Sequence, residues 1–139
     1  MWEKGCTETY LSKAGLLRMI NEKKNSFPDS GIHKEKGELI SPLMLSELAR
    51  KKDKLALDIF NEASFALGIS VSNVINLLGI ATIVVGGGIA NAWDLFYENT
   101  YNTIKNNVFQ YQQNNLKLVK AKLGEKAGVI GAAYMAAEK

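Results

Sequence analysis

Apolar residues near the start of the chain recur at helical spacing. Residues 8–24 carry apolar side chains three and four positions apart, and the pattern ends before Pro28, so a first helix is predicted there. Residues 29–40 are polar and contain glycine. This composition predicts a surface loop with an exposed His33.

Two further helices are marked by their capping residues. Ser41 followed by Pro42 is typical of a helix N-cap and first helical position, so a short helix is expected to run to near Lys51. Asp53 is predicted to cap a long helix that Gly79 ends. The apolar stripe of this helix has a period of about 3.6 residues; its members are Ala56, Ile59, Phe60, Ala63, Leu67, Val71, Val74, Ile75 and Leu78.

A β-branched run, residues 80–85, predicts a buried strand that stops at three consecutive glycines, Gly86, Gly87 and Gly88. Helical spacing resumes over residues 91–108. Glycine adopts positive φ at little cost and leaves the main chain bare, so a ligand can approach it closely. A tight strand-to-helix turn without a ligand is equally compatible with the triplet. The dinucleotide fingerprint G-x-G-x-x-G is excluded, because these glycines are contiguous.

A second strand is predicted at residues 116–121, with Leu116 and Leu118 on the face opposite Lys117 and Val119. A terminal helix rich in alanine and glycine follows, small enough to lie close to a neighbouring element. Two strands joined through a helix are expected to be parallel with a right-handed crossover, so the fold class is α/β, mostly helical.

Two strands are too few for the helices that accompany them. A parallel sheet is normally covered on both faces, and its open edges carry unpaired backbone groups. We therefore expect further sheet partners, either from residues preceding Met1 or from another chain.

Composition limits the function further. The 139 residues have a net charge of +3, from 17 basic and 14 acidic side chains, so no concentrated basic face for nucleic acid is expected. The sole cysteine, Cys6, excludes an internal disulfide, and the absence of a signal-peptide pattern favours a cytoplasmic protein. A basic cluster is interpreted as a solvated junction between helices; it consists of Arg50, Lys51, Lys52 and Lys54.

No charged residue lies between Glu62 and Asp94, and these 31 residues exceed the roughly 20 needed to cross a bilayer. A membrane span is nevertheless not expected, because unpaired polar groups are costly at lipid depth. A core helix followed by a buried strand explains the same hydrophobicity. The stretch contains the polar residues Ser64, Ser70, Ser72, Asn73 and Asn76, and then the triple glycine.

Four segments occur in an order that is typical of one protein family. They are Gly5-Cys6-Thr7-Glu8-Thr9-Tyr10-Leu11-Ser12, Lys52-Asp53-Lys54-Leu55-Ala56, Val84-Val85-Gly86-Gly87-Gly88-Ile89 and Leu123-Gly124-Glu125-Lys126-Ala127-Gly128-Val129-Ile130-Gly131-Ala132-Ala133. Together they resemble the C-terminal half of ROK-family sugar kinases and sugar-responsive repressors. The first is similar to the tail of the zinc signature C-x-C-G-x-x-G-C-x-E. The second resembles the helix start G-D-x-x-A, with Lys52 in place of glycine. The third resembles the adenosine-binding turn, and the fourth the terminal helix.

The resemblance implies a partial actin-like, ribonuclease-H-like lobe, a single C-terminal unit over residues 1–139, with ATP and magnesium bound in the complete enzyme. Gly86, Gly87 and Gly88 would contact the adenosine, with the following helix directing its N-terminus toward the nucleotide. Glu8 matches the acid that binds sugar hydroxyls. The alternative for Glu8 is a first-turn acid that interacts with the helix dipole.

Cys6 matches the last zinc ligand of the family. The preceding cysteine would fall at Met1 and the other ligands before the chain, while His33 does not match the family's histidine. Because structural zinc needs four ligands, no zinc is expected in this chain alone, and Cys6 is expected to be a free or buried thiol.

The family's phosphate loops and catalytic aspartate belong to an N-terminal half that this sequence lacks. A truncated gene, an excised fragment or one piece of a split protein is therefore expected, inactive alone. The resemblance implies the adenosine-side lobe of an ATP-dependent hexose kinase, partnered by the missing half or by further copies of itself. The alternatives are the sugar-sensing domain of a ROK-type repressor and a non-catalytic, oligomerising remnant.

Overall fold

The computed structural model describes residues 5–34 and 40–138. Part of the predicted loop at 29–40, and the position of Met1 in the zinc signature, lie outside these ranges. The helices are α1 (Glu8–Leu11), α2 (Lys13–Lys23), α3 (Pro42–Arg50), α4 (Lys54–Leu78), α5 (Trp93–Asn107), α6 (Gln110–Asn115) and α7 (Ala127–Ala137), and the strands are β1 (Thr82–Val85) and β2 (Lys117–Lys120). Short 3₁₀ turns occupy Lys24–Ser26, Gly31–Lys34, Gly88–Ala92 and Gly124–Lys126.

The first predicted helix is interrupted at Ser12, so the single helix expected over residues 8–24 is wrong. Ser12 is extended (φ −81°, ψ 161°), and its hydroxyl accepts a hydrogen bond from the Gly15 amide at 3.0 Å, capping α2. A Cβ on Gly15 would lie 2.3 Å from the Thr9 carbonyl oxygen. Glycine at this position therefore allows α1 to fold tightly against the start of α2.

The capping predictions for α3 and α4 are confirmed. The Ser41 hydroxyl accepts from the Met44 amide at 3.2 Å, with Pro42 opening the helix. Asp53 caps α4 by accepting from the Ala56 amide at 3.0 Å, and Gly79 ends it in the left-handed conformation at φ 67°.

The buried face of α4 rotates along its length, so part of the predicted stripe is wrong. Val74 and Leu78 are 44% and 63% exposed. From the middle of the helix onward, the buried positions include the small residues Ser64, Gly68 and Ser72, spaced four apart. The serine hydroxyls donate to main-chain oxygens of α4 itself, so small polar residues form the tight contact with α5.

The two strands pair in parallel, as predicted. Val84 is opposite Val119 and Ile83 is opposite Leu118. Leu118 is buried on the inner face, whereas Val84 and Val119 are 62% and 43% exposed on the outer one. The alternation read from the sequence of β2 is therefore confirmed. The prediction that residues 80–85 form a buried strand is wrong, since only Val85 of β1 is buried.

Two hydrophobic clusters support the fold. The larger one joins α2, α3 and the first half of α4, and includes Ile32 and Ile40 from the predicted surface loop. The smaller one joins the sheet to the end of α4 and to α5. Every residue of α7 is exposed.

Helix α4 is long and apolar enough to cross a membrane by length and composition. In its most apolar 18-residue window 44% of the residues are buried inside the structure. Core helices of soluble proteins meet the same two criteria, so this property gives only weak evidence of a span.

Candidate functional site

The triple glycine lies at the carboxyl end of β1. Gly87 has φ 72° and ψ −161°, a conformation that residues with a side chain rarely adopt. Its carbonyl accepts from the Ala90 amide at 3.1 Å, which closes the 3₁₀ turn Gly88–Ala92. The chain then enters α5 at Trp93.

The glycine main chain is bare on its open side. A Cβ added to Gly87 or Gly88 would meet no atom within 4 Å, and one on Gly86 would only touch the Ala121 methyl at 3.4 Å. The backbone conformation accounts for glycine at position 87. Neither φ nor internal packing requires glycine at position 88, so that position is free to be approached from outside.

A groove of about 360 Å³ adjoins the turn. Its walls come from the start of α2, from α3 and from the turn, with two aromatic rings from α4 and α5. The lining residues are Leu11, Lys13, Leu16, Pro42, Leu43, Ser46, Phe60, Gly88, Ile89, Asn91, Ala92 and Phe96. Most of these side chains are apolar, and three polar residues stand among them. A flat, mainly apolar ring with a few hydrogen-bonding atoms suits such a groove.

Arg50, the last residue of α3, connects two walls of the groove. Its Nε and Nη2 donate to the two carboxylate oxygens of Asp94, each at 2.8 Å. Nη2 also donates to the Asn91 carbonyl at 3.4 Å, and Nη1 to the Ser46 hydroxyl at 3.1 Å. The hydrogen bond to Asp94 raises the pKa of Arg50, and the same bond holds the pKa of Asp94 below its ordinary value.

Glu8 is exposed in the first turn of α1. Within the described residues its carboxylate has no hydrogen-bond or ion-pair partner. The groove beside the glycine turn is lined by Leu11 of the same helix, but not by Glu8. Among the described residues, the predicted sugar residue therefore does not line the groove that the predicted adenosine turn borders.

Cys6 is an exposed, free cysteine. Across residues 5–34 and 40–138, no three histidine, cysteine or acidic side chains are grouped so as to hold a metal. His33 is exposed, and its Nε2 lies 3.1 Å from the Lys24 carbonyl oxygen and 3.0 Å from that of Phe27. The residues around Cys6 that the structure describes thus do not fit a tetrahedral zinc site.

The sequence did not identify the groove or the pairing of Arg50. The basic cluster is exposed at the junction of α3 and α4, as expected, but Arg50 pairs with an acid 44 positions away. No local spacing signals a contact over that distance.

The architecture defines the class of protein: an α/β lobe of the actin-like ATPase fold, represented by its two parallel strands and surrounding helices. The ROK family model matches residues 3–139, and the chain belongs to the ROK family. The resemblance carried by the four sequence segments is therefore confirmed.

Relatives include both kinases and repressors. The chain is 27% identical to the xylose repressor of Caldicellulosiruptor bescii, over 94% of this chain and 33% of the repressor. It is 25% identical to the glucokinase of Thermotoga maritima, over 98% of this chain and 44% of that enzyme. The crystal structure of a ROK family glucokinase from Streptomyces griseus in complex with glucose and AMPPNP matches with a TM-score of 0.82 and 26% identity. The match covers 99% of this chain and 46% of the glucokinase chain. The chain thus spans less than half the length of these relatives.

Proposed function

We propose that this chain is the adenosine-binding lobe of an ATP-dependent hexose kinase of the ROK family. Gly86, Gly87 and Gly88 contact the adenosine, and Glu8 accepts hydrogen bonds from sugar hydroxyls. The complete cytoplasmic protein transfers the γ-phosphoryl group of ATP to a sugar hydroxyl with magnesium as the metal. In this proposal residues 1–139 form one C-terminal lobe, which works with a second half or with further copies of the chain.

The bare surface at Gly88 carries this proposal. Nothing within the described chain requires glycine there, yet the residue lines a groove suited to a flat ring. Because glycine has no side chain, a glycine at the edge of a groove lets a ligand lie against the main chain. The glucokinase from Streptomyces griseus, which matches nearly the whole chain, was solved with AMPPNP and supports a nucleotide as the ligand.

The chain's own contribution is binding and orientation. ATP, when bound, supplies the phosphoryl group. The apolar walls of the groove remove the ring from water, and the main chain at Gly88 lies beside the ligand. The phosphate and acceptor chemistry is assigned to the second half of the protein, since the family's phosphate loops and catalytic aspartate belong to that half.

A repressor function is the second candidate. It is favoured by the 27% identity to the xylose repressor over 94% of this chain. In that case Glu8 binds a sugar, and the groove need not bind a nucleotide. An oligomerising remnant is a third candidate, favoured by a two-stranded sheet whose outer face is exposed. Sedimentation of the chain at several concentrations tests whether it self-associates, as the third candidate requires.

Calorimetric titration of the chain with AMPPNP tests the nucleotide proposal. Gly88→Val is expected to abolish weak binding with little change in the melting temperature, because a Cβ at this position meets no atom of the chain within 4 Å. Gly87→Val is expected to abolish binding and also to destabilise the chain. Gly79→Val is the matched control, since it has a similar φ of 67°, an open environment and no place in the groove. It should lower the melting temperature without affecting affinity.

Absence of AMPPNP binding by the chain, even when the N-terminal half of a ROK kinase is supplied, would contradict the nucleotide proposal. Binding of xylose or glucose without any nucleotide binding would favour the repressor candidate.

A further inference from the structure

We infer that Arg50 is a positioning residue that holds the Gly88–Ala92 wall of the groove against α3 and thereby sets nucleotide affinity. The inference rests on the proposed function for its ligand. Its structural part, the fixing of the turn by Arg50, stands on the geometry alone.

The guanidinium contacts both sides of the groove. Ser46 on α3 and Asn91 on the turn both line it, and Arg50 hydrogen-bonds to the hydroxyl of the first and the carbonyl of the second. Two further hydrogen bonds, at 2.8 Å each, join it to Asp94 in the first turn of α5. One side chain therefore links the two walls by hydrogen bonds.

Burial of Ala90 and Ala92 anchors the turn, and Arg50 adds hydrogen bonds to it from α3. Neither the 3₁₀ turn Gly88–Ala92 nor the N-terminus of α5 receives a side-chain cap. Helix starts without a cap leave backbone groups to be satisfied from elsewhere and tend to fray. The preceding residue, Gly87, is the most conformationally permissive type. The bonds from Arg50 to Asn91 and Asp94 therefore add a restraint from α3 to the one that the burial of Ala90 and Ala92 supplies.

Arginine suits this role better than lysine. Its planar fork makes two parallel hydrogen bonds to a carboxylate and has further N–H groups for a carbonyl and a hydroxyl. An ammonium group cannot reproduce all four contacts in the same plane. Substitution by lysine should therefore keep the charge but lose part of the restraint.

Amide hydrogen exchange and AMPPNP titration on the same chain test the inference. Arg50→Ala is expected to accelerate exchange at residues 88–94 and to weaken AMPPNP binding, each by roughly two- to fivefold, because exposed ion pairs contribute modestly. Arg50→Lys should give intermediate values for both. Asp94→Asn, which keeps the shape of the partner, should shift both in the same direction as Arg50→Ala.

Arg18→Ala is the matched control. Arg18 also makes two short hydrogen bonds to one carboxylate, that of Glu22, and its side chain is 39% exposed against 40% for Arg50. It lies away from the glycine turn, so its removal should leave exchange at residues 88–94 and AMPPNP affinity unchanged.

The outcomes separate the two proposals. Failure of the wild-type chain to bind AMPPNP contradicts the proposed function, and exchange at residues 88–94 then decides whether Arg50 fixes the turn. Unchanged exchange in Arg50→Ala overturns that role. Unchanged affinity in Arg50→Ala, with a wild-type chain that binds, overturns its effect on the nucleotide.

Discussion

Thr103 of α5 packs directly against Gly68 of α4. A Cβ on Gly68 would lie 2.5 Å from the Thr103 Cβ and 2.6 Å from its Cγ2, closer than real Cβ contacts allow. The Thr100 hydroxyl donates to the Ser64 carbonyl at 3.2 Å one turn earlier on α4. The close contact of α4 and α5 accompanies the edge-to-face contact of Phe60 and Phe96, two rings that line the groove.

Gly68→Ala is expected to destabilise the chain by about 1–3 kcal/mol, because the methyl group must separate two packed helices. Urea unfolding measures the change. Gly128→Ala on α7 is the matched control, since a Cβ there meets no atom within 4 Å, and it should be neutral or stabilising by up to about 1 kcal/mol. Equal effects of the two substitutions would show that contact with Thr103 is unimportant.

Lys52→Gly is expected to stabilise the chain by about 0.5–1 kcal/mol. Lys52 has φ 66°, the only positive φ of a non-glycine residue among those described, and it occupies the glycine position of the family's G-D-x-x-A motif. Left-handed backbone costs about 1–2 kcal/mol for a residue with a Cβ, partly offset by the greater unfolded-state entropy of glycine.

Lys52→Ala separates conformation from charge in this experiment. It removes the ammonium group but keeps the Cβ, so it should give no comparable gain in the free energy of unfolding. A gain as large as that of Lys52→Gly would contradict the conformational explanation.

Asp53 is expected to make stability depend on pH. Burial pushes its pKa upward, but hydrogen bonds from the Ala56 and Gly31 amides and the Ser30 hydroxyl outweigh this and hold the pKa below its ordinary value. Since the unfolded pKa is about 3.9, the stabilisation is complete well above that pH and is lost as the pH falls through the lower folded pKa.

Asp53→Asn should therefore cost about 1–2 kcal/mol at pH 7, and the difference from wild type should shrink below about pH 4. Chemical unfolding at several pH values measures it. Asp29→Asn, at an exposed position, is the control and should give a small difference throughout. A constant difference for Asp53→Asn across this pH range would exclude the carboxylate as its source.

Much of the local structure could be predicted because local chemistry determines it. Helix caps depend on residues within one turn of each other, as at Ser41, Asp53 and Gly79. The buried face of β2 depends only on the alternation of apolar and polar side chains along the strand. The β-branched run and the three consecutive glycines that follow it located the strand-to-helix turn. Position 52 was also identified as a glycine site of the family, and its φ gives the physical reason.

The features that could not be predicted depend on distant contacts. The break at Ser12 follows from the fit of Gly15 against Thr9, and the rotation of the buried face of α4 follows from α5 packing on Gly68. Helix α6 has no buried residue, so its sequence carries no apolar period. The Arg50–Asp94 pair, and with it the shape of the groove, exists only once α3 and α5 are brought together.

The full exposure of α7 has a consequence for proteolysis. A helix of 11 residues with no buried side chain draws its stability only from its own backbone, and isolated helices of that length are marginal in water. Local unfolding should therefore open it without disturbing the two hydrophobic clusters. Lys122 and Lys126 precede the helix, so trypsin is expected to remove it from the chain alone. Protection from this cleavage would report that another surface has covered Val129, Tyr134 and Met135.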